Sequence, residues 1–158
     1  MGPLDLDATY RQYFPLIREK CRRMLRDSEE AQDVAQDTFV RFFRAERLSD
    51  EPLARTAWLY RTATRLAIDS LRRRRPEGPA APEPRAVDLE ALLSSRQQLA
   101  LLARRVPRQE LELILLARFD GLTQAESAEV LGLSERTVRR RLGGFEQRLS
   151  RLQQEWSR

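Results

Sequence analysis

Residues 122–142 read LTQAESAEVLGLSERTVRRRL, and the fold class turns on them. Thr123 is a helix N-cap with Glu126 at the third helical position, a capping box that predicts a short helix over Gln124–Leu131. Gly132 supplies a left-handed turn, and Ser134 caps a second helix that starts at once. Ala128 is small where the two helices must touch, while Val138 and Leu142 pin the second helix to a core. The pattern is a helix-turn-helix, whose second helix offers Glu135, Arg136, Arg139 and Arg140 on its exposed side. In the DNA-binding version that helix enters the major groove, its early residues touch base edges, and the first helix lies across the backbone. A plain helical hairpin with a basic surface is the competing reading, but it has no need of the small Ala, the Gly, the Ser cap and the Val at these spacings.

Immediately upstream, Gln109 to Phe119 carries Leu111, Leu113, Ile114, Leu115, Leu116 and Ala117. A helix apolar almost all round must be the buried centre of a domain, and Asp120-Gly121 ends it. Before it, a helix over 89–105 is stopped by Pro107. Further back, Pro76-Glu77-Gly78-Pro79-Ala80-Ala81-Pro82-Glu83-Pro84 places four prolines and a glycine within nine residues. That forbids a continuous helix or strand and predicts an exposed, semi-extended linker.

Three helices are expected ahead of the linker. Tyr10, Phe14, Ile17, Cys21 and Met24 or Leu25 recur at helical spacing in the first. Asp27 or Ser28 caps the second, with Glu29 and Glu30 in the first turn where the helix dipole favours acids. Its apolar face comprises Ala31, Val34, Ala35, Thr38, Phe39, Phe42 and Phe43, so that Asp33, Gln36, Asp37, Val40, Arg41 and Arg44 face elsewhere. A loop around Leu48 to Arg55 leads to a third helix from about Thr56 to Arg75, with Leu59, Thr62 or Ala63, Leu66, Ser70 and Leu71 toward the core. On another face Trp58, Arg61, Thr62, Arg65, Asp69, Arg72 and Arg73 form a basic stripe headed by an aromatic. Such a stripe is either a solvated charged face or a nucleic-acid surface.

Composition excludes several functions. The chain has 158 residues, 41% hydrophobic and 34% charged, enough for one ordinary domain or two small helical ones. It has no His, and Cys21 is its one Cys, so the usual zinc sites, Ser-His-Asp triads, Cys-His pairs and internal disulfides cannot be assembled. Cys21 reads as a small buried hydrophobe rather than a redox switch. No glycine-rich phosphate loop is present, no apolar run approaches a membrane span, and no signal peptide is visible. The expectation is a non-enzyme of the reducing cytoplasm, with no catalytic residue, no metal, no cofactor and no small-molecule substrate. Charge points the same way. There are 29 Lys+Arg against 24 Asp+Glu, and every basic residue except Lys20 is Arg, whose planar fork suits phosphate and guanine edges. Residues 1–75 hold 16 basic and 12 acidic side chains, 76–91 hold 1 and 4, and 92–158 hold 12 and 8, so two basic blocks flank an acidic break.

Taken whole, residues 10–75 (YRQYFPLIREKCRRML, then DSEEAQDVAQDTFVRFFRA, then TAWLYRTATRLAIDSLRRRR) closely resemble region 2 of the extracytoplasmic-function (ECF) sigma factors of the sigma-70 family. Residues 99–149, beginning LALLARRVPRQELELILLARFDGLTQAESAEVLGLSERTV, resemble region 4 of the same family. The resemblance implies an all-α fold of two small helical domains, region 2 over 1–75 and region 4 over 92–158, joined by the acidic proline-rich linker 76–91. It implies that Asp33, Gln36, Asp37, Val40 and Arg41 dock on the clamp helices of core RNA polymerase. Trp58, Arg61, Thr62, Arg65, Asp69, Arg72 and Arg73 would handle the minus 10 element, with Arg72 to Arg75 on phosphates and the loop Leu48 to Arg55 holding a flipped base. Ser134, Arg136, Thr137, Arg139 and Arg140 would read the minus 35 element. The linker would run toward the RNA exit path.

The implied function is promoter-specific transcription initiation, in a stress or envelope response under an anti-sigma protein, by a chain that is a monomer when free. The implied partners are core RNA polymerase, promoter DNA and that anti-sigma protein. Three departures from the family pattern bear on this: Arg65 where Asn is common, Ser127 in place of a packing Ile, and Gly143-Gly144 where charged helix formers are usual. The glycines predict a bend or a close approach of backbone to DNA. The competing functions are a helix-turn-helix repressor or activator that acts without core polymerase, and a sigma-like protein defective in initiation.

Overall fold

Helix caps mark out the elements. The structure, a computed structural model, describes residues 5–45, 51–73 and 95–156. Asp5 accepts a hydrogen bond from the Ala8 N–H at 3.0 Å and opens α1 (Leu6–Leu25), which Arg26 closes in the left-handed conformation at φ 54°. Asp27 then accepts from the Glu30 N–H at 3.0 Å and opens α2 (Ser28–Arg44). The third helix, α3 (Pro52–Arg73), begins four residues before the expected Thr56. Proline is well suited to the first helical position, because its missing N–H would have no partner there and its φ is already helical. The expected loop from Leu48 to Arg55 is therefore helical from Pro52 onward, and 46–50 lie outside the described residues, as do Arg74, Arg75 and the linker.

The second half comprises α4 (Arg96–Arg105), α5 (Arg108–Ile114), a wider π-type turn over Leu115–Phe119, α6 (Gln124–Leu131) and α7 (Glu135–Trp156). No strand occurs among the described residues. The expected helix over 89–105 is described from Arg96 on. At the end of the π turn the Asp120 N–H donates to the Leu115 carbonyl at 2.9 Å and the Leu122 N–H to that of Leu116 at 3.0 Å. Gly121 follows at φ 72°.

Phe39 centres the first lobe, with its ring 5.1 Å from Tyr10 and 5.7 Å from Phe14. Around it Ile17, Cys21, Met24, Leu25, Ala31, Ala35 and Phe42 are buried, as the spacing anticipates. Phe43 is a correction: it is 42% exposed, because the 100° step from Phe42 carries it off the edge of the buried arc onto Tyr10. Of the pair Thr62 or Ala63, Ala63 is the buried one. Thr64, Ala67 and Ile68, outside the expected core positions of this helix, are buried as well. The cause is that α3 packs against α1 and α2 on one side and against α4, α5 and α6 on another. A small cluster of Leu113, Leu116, Ala128, Leu131 and Val138 is private to the second lobe. Leu99, Leu102, Val106, Leu111, Ile114 and Leu115 instead continue the apolar cluster of the first lobe.

Candidate nucleic-acid interface

The helix-turn-helix is built as its residues dictate. Thr123 Oγ1 accepts from the Glu126 N–H at 3.1 Å, and Gly132 turns left-handed at φ 65°. The Leu133 N–H reaches back to the Ala128 carbonyl at 2.9 Å, and Ser134 Oγ accepts from the Thr137 N–H at 3.1 Å. With Val138 fully buried against the core, rotation along α7 leaves Ser134, Arg136, Arg139 and Arg140 exposed and Thr137 half-buried. The Arg139 Nε–H donates to Gln124 Oε1 at 3.4 Å, tying the two helices of the motif across the turn. Gly143 and Gly144 lie within α7, which continues through both, and a Cβ at either would meet nothing within 4 Å. Ser127 is fully buried, and its hydroxyl has no hydrogen-bond partner among the described residues.

On α2, Asp33, Gln36, Asp37, Val40 and Arg41 are all exposed, on the side opposite the buried Ala31, Ala35, Thr38, Phe39 and Phe42. Asp37 and Arg41 pair at 3.5 Å, one helical turn apart. Between α2 and α3 runs an open groove that Glu29, Asp33 and Asp37 make acidic, with Arg73 among its lining. A rigid stripe of carboxylates beside an exposed Val40 is suited to a basic partner helix, because complementary charge orients docking and suppresses wrong partners.

The α3 stripe meets the second lobe. Trp58 is half-buried, with its ring 5.5 Å from that of Phe42. The Arg61 Nε–H donates to Glu112 Oε1 at 3.1 Å, and the Arg65 Nε–H lies 3.2 Å from both Glu112 oxygens. The Glu112 side chain is 2% exposed, against 36% and 38% for the two arginines. Asp69 pairs with Arg108 at 3.3 Å, and Arg72 donates to the backbone carbonyls of Ala103 and, at 3.1 Å, Val106. Arg73 returns to the Asp69 carbonyl at 3.3 Å, and Thr62 is half-buried. The expected minus 10 residues are thus brought onto one face, which the second lobe contacts through Glu112, Arg108, Ala103 and Val106 while Arg72 and Arg73 remain exposed.

Further pairs tie the lobes. Lys20 on α1 and Asp120 form an ion pair whose side chains are 3% and 6% exposed. Arg96 on α4 pairs with Glu30 at 2.8 Å and donates to the Leu25 carbonyl. The Arg23 guanidinium sits 4.4 Å from the centre of the Phe119 ring. Glu112, Asp120, Arg96 and Arg108 were not anticipated from sequence. One signal was available: Glu112 is the single acid inside the run Leu111 to Leu116, and a carboxylate that deep requires a cationic partner from elsewhere.

Cys21 is fully buried, and loss of hydration pushes its thiol up to about 12, with a smaller opposing pull from Lys20. It is a packing residue without nucleophilic character. No helix among the described residues is long and apolar enough to cross a membrane.

A three-helix unit with an exposed acidic stripe, followed by a second unit ending in a helix-turn-helix with open guanidiniums, defines a DNA-binding transcription protein. The sigma-70 region 2 family matches residues 9–77, and the sigma-70 region 4 family matches 96–143, in that order. The chain is 30% identical to the ECF RNA polymerase sigma factor SigW of Bacillus subtilis over 82% of its own length and 79% of the relative's. It is 31% identical to the ferric citrate uptake sigma factor FecI of Escherichia coli, covering 87% of this chain and 84% of that one. To the ECF sigma factor SigM of Mycobacterium tuberculosis it is 26% identical, over 92% and 76%. The chain belongs to the ECF sigma factors of the sigma-70 family, RNA polymerase subunits for promoter-specific initiation. Members of this family are DNA-binding regulators rather than catalysts, and core RNA polymerase and promoter DNA are their partners.

Proposed function

We propose that residues 1–75 act as region 2, 76–91 as the linker and 92–158 as region 4, with the work divided among three faces. Asp33, Gln36, Asp37, Val40 and Arg41 dock on core polymerase. Trp58, Arg61, Thr62, Arg65, Asp69, Arg72 and Arg73 bind the minus 10 element. Ser134, Arg136, Thr137, Arg139 and Arg140 bind the minus 35 element. The protein has no catalysis of its own: binding energy opens the promoter, offsetting the few kcal/mol that extruding a base costs. It works in the cytoplasm, is a monomer when free, and serves a stress or envelope response under an anti-sigma protein.

The observation that carries this reading is the rigid, exposed α2 stripe in the same chain as the open guanidiniums of Arg136, Arg139 and Arg140. An operator-binding repressor has no use for the first of these.

The test is run-off transcription with core polymerase from the same organism, on a genomic promoter library. Discrete transcripts are expected, and Asp37→Arg is expected to abolish them. Its fold should survive within about 0.5 kcal/mol, because Asp37 is exposed and its pair with Arg41 is a surface one. Core binding without transcripts would favour the initiation-defective alternative. Failure to bind core would favour the repressor.

A further inference from the structure

The junction of α4 and α5 carries arginines that none of the three proposed faces uses. Pro107, between the two helices, lines two open clefts at once. Arg72, Arg104 and Arg105 line the first, with no carboxylate beside them among the described residues. Arg140, Arg141 and Arg148 line the second, whose one carboxylate, Glu110, is paired with Arg148 at 2.7 Å. Arg141 is half-buried and the other five arginines are exposed. Arg105, Arg140 and Arg141 make no side-chain hydrogen bond or ion pair among the described residues. We propose that the two clefts form one sequence-independent track for the phosphodiester backbone of nucleic acid, running from Arg72 past Arg105 and Pro107 to Arg141 and Arg140.

The backbone beneath the track is prepared for an anion. A helix C-terminus such as that of α4 leaves carbonyls that repel phosphate. Here Arg72 donates to the carbonyls of Ala103 and, at 3.1 Å, Val106, while the Val106 N–H donates to that of Leu102 at 2.8 Å. The Glu110 and Leu111 N–H groups donate to the Pro107 carbonyl at 3.1 and 3.0 Å. With these acceptors occupied, the guanidiniums set the sign of the local field, and their planar forks match phosphate oxygens in pairs. Gly144 adds bare backbone to the second cleft, and a Cβ there would meet nothing within 4 Å. Open clefts suit an extended polymer, whereas small ligands are held in concave sites that bury most of their surface. A membrane surface, the other polyanion, calls for an apolar anchor beside the charges. Among the described residues the exposed large hydrophobics Leu6, Leu16, Val40, Phe43 and Leu53 all lie on α1, α2 and α3, and none of them lines either cleft.

The consequence is that the free chain holds nucleic acid of any sequence through Arg105 and Arg141, in addition to the arginines of the minus 35 surface. Each phosphate contact steepens the log-log salt dependence of binding by about 0.9 on duplex DNA and about 0.7 on a single strand. The experiment uses the full-length protein and the double variant Arg105→Ala with Arg141→Ala, one residue from each cleft and neither on a proposed face. A second double variant, Arg18→Ala with Arg44→Ala, removes the same charge from exposed positions on α1 and α2 outside the clefts. Fluorescence anisotropy reads binding of short labelled random-sequence DNA, duplex and single-stranded, from about 50 to 200 mM salt. The track variant is expected to bind more weakly, with a slope shallower by about 1.8 on the duplex or about 1.4 on the single strand. The second double variant is expected to keep the wild-type slope.

A shallower slope on one form alone identifies the form the track holds, and a shallower slope on both assigns it to either. A wild type without measurable binding, or a track variant with the wild-type slope on both forms, would overturn the proposal. An equal loss in the second double variant would overturn it too, because net charge would then account for binding. Vesicles of phosphatidylglycerol with phosphatidylcholine are a third arm: binding that the track variant loses there, with its DNA slopes unchanged, would assign the clefts to a membrane surface instead. Should the track variant fail to fold by circular dichroism, Arg105→Ala alone decides, at an exposed position and with about half the change in slope. No polymerase enters the measurement, so its outcome is independent of the sigma reading, which run-off transcription tests by itself.

Discussion

The Trp58 ring leans on the Phe42 ring at 5.5 Å, joining the head of the α3 stripe to the buried side of the α2 stripe. The two faces of region 2 therefore share a foundation. Phe42 is fully buried, so Phe42→Ala should cost about 3–5 kcal/mol of stability by urea unfolding. Trp58→Ala, at a half-buried position, should cost less stability yet reduce run-off transcript yield more than its stability loss accounts for.

Arg136, Arg139 and Arg140 are exposed at the start of α7, the proposed minus 35 surface. Replacing one of them by Ala should weaken minus 35 duplex binding by about 1–3 kcal/mol where it reads a base. Where it holds only a phosphate, the log-log salt slope should fall by about one unit across all sequences. Titrations at several salt concentrations distinguish the two roles residue by residue.

Gly143 and Gly144 are helical, with open space where a Cβ would go. Gly143→Ala and Gly144→Ala should each stabilise the chain by up to about 1 kcal/mol in thermal or urea unfolding. If either also lowers duplex affinity, the bare backbone there approaches DNA closely.

Cys21 links stability to alkaline pH. The unfolded chain releases the thiol proton near the ordinary value of 9.0, while burial holds it in the folded chain up to about 12. Between these values the unfolded state binds fewer protons, so stability falls as pH rises, by at most about 1.4 kcal/mol per unit. Tyr60 is pushed up too, first by burial and then by Asp120, and contributes in the same direction. Urea unfolding at pH 8 and pH 10 should show the decline. Iodoacetamide should leave native Cys21 unmodified and alkylate it in denaturant.

Local rules made most of the fold legible. The Asp27 cap, the Thr123 and Ser134 caps and the left-handed Gly132 each depend on a few adjacent residues, and each has the expected geometry. The start of α3 is less legible, because Pro52 reads as a loop marker from sequence yet occupies the first turn of the helix. Phe43 falls outside the core because helical periodicity gives the direction of an apolar arc more sharply than its width. The pairing of Arg61 and Arg65 with Glu112 spans about fifty positions, and no local pattern specifies which distant carboxylate meets a basic stripe. Ser127 is a milder case: the sequence shows a missing side chain, and the structure adds an unpartnered hydroxyl in a fully buried place.

Lys20 is the chain's only lysine, and its ammonium lies 5.8 Å from the centres of the Tyr60 and Phe119 rings with Asp120 beside it. Two of those three neighbours come from the second lobe. The protein therefore carries a single side-chain primary amine, sealed by the contact between the two lobes. An amine-selective acylating reagent meets no other side-chain amine, so acylation at Lys20, read by peptide mapping apart from the α-amine, is a built-in chemical reporter of lobe separation that needs no engineered label.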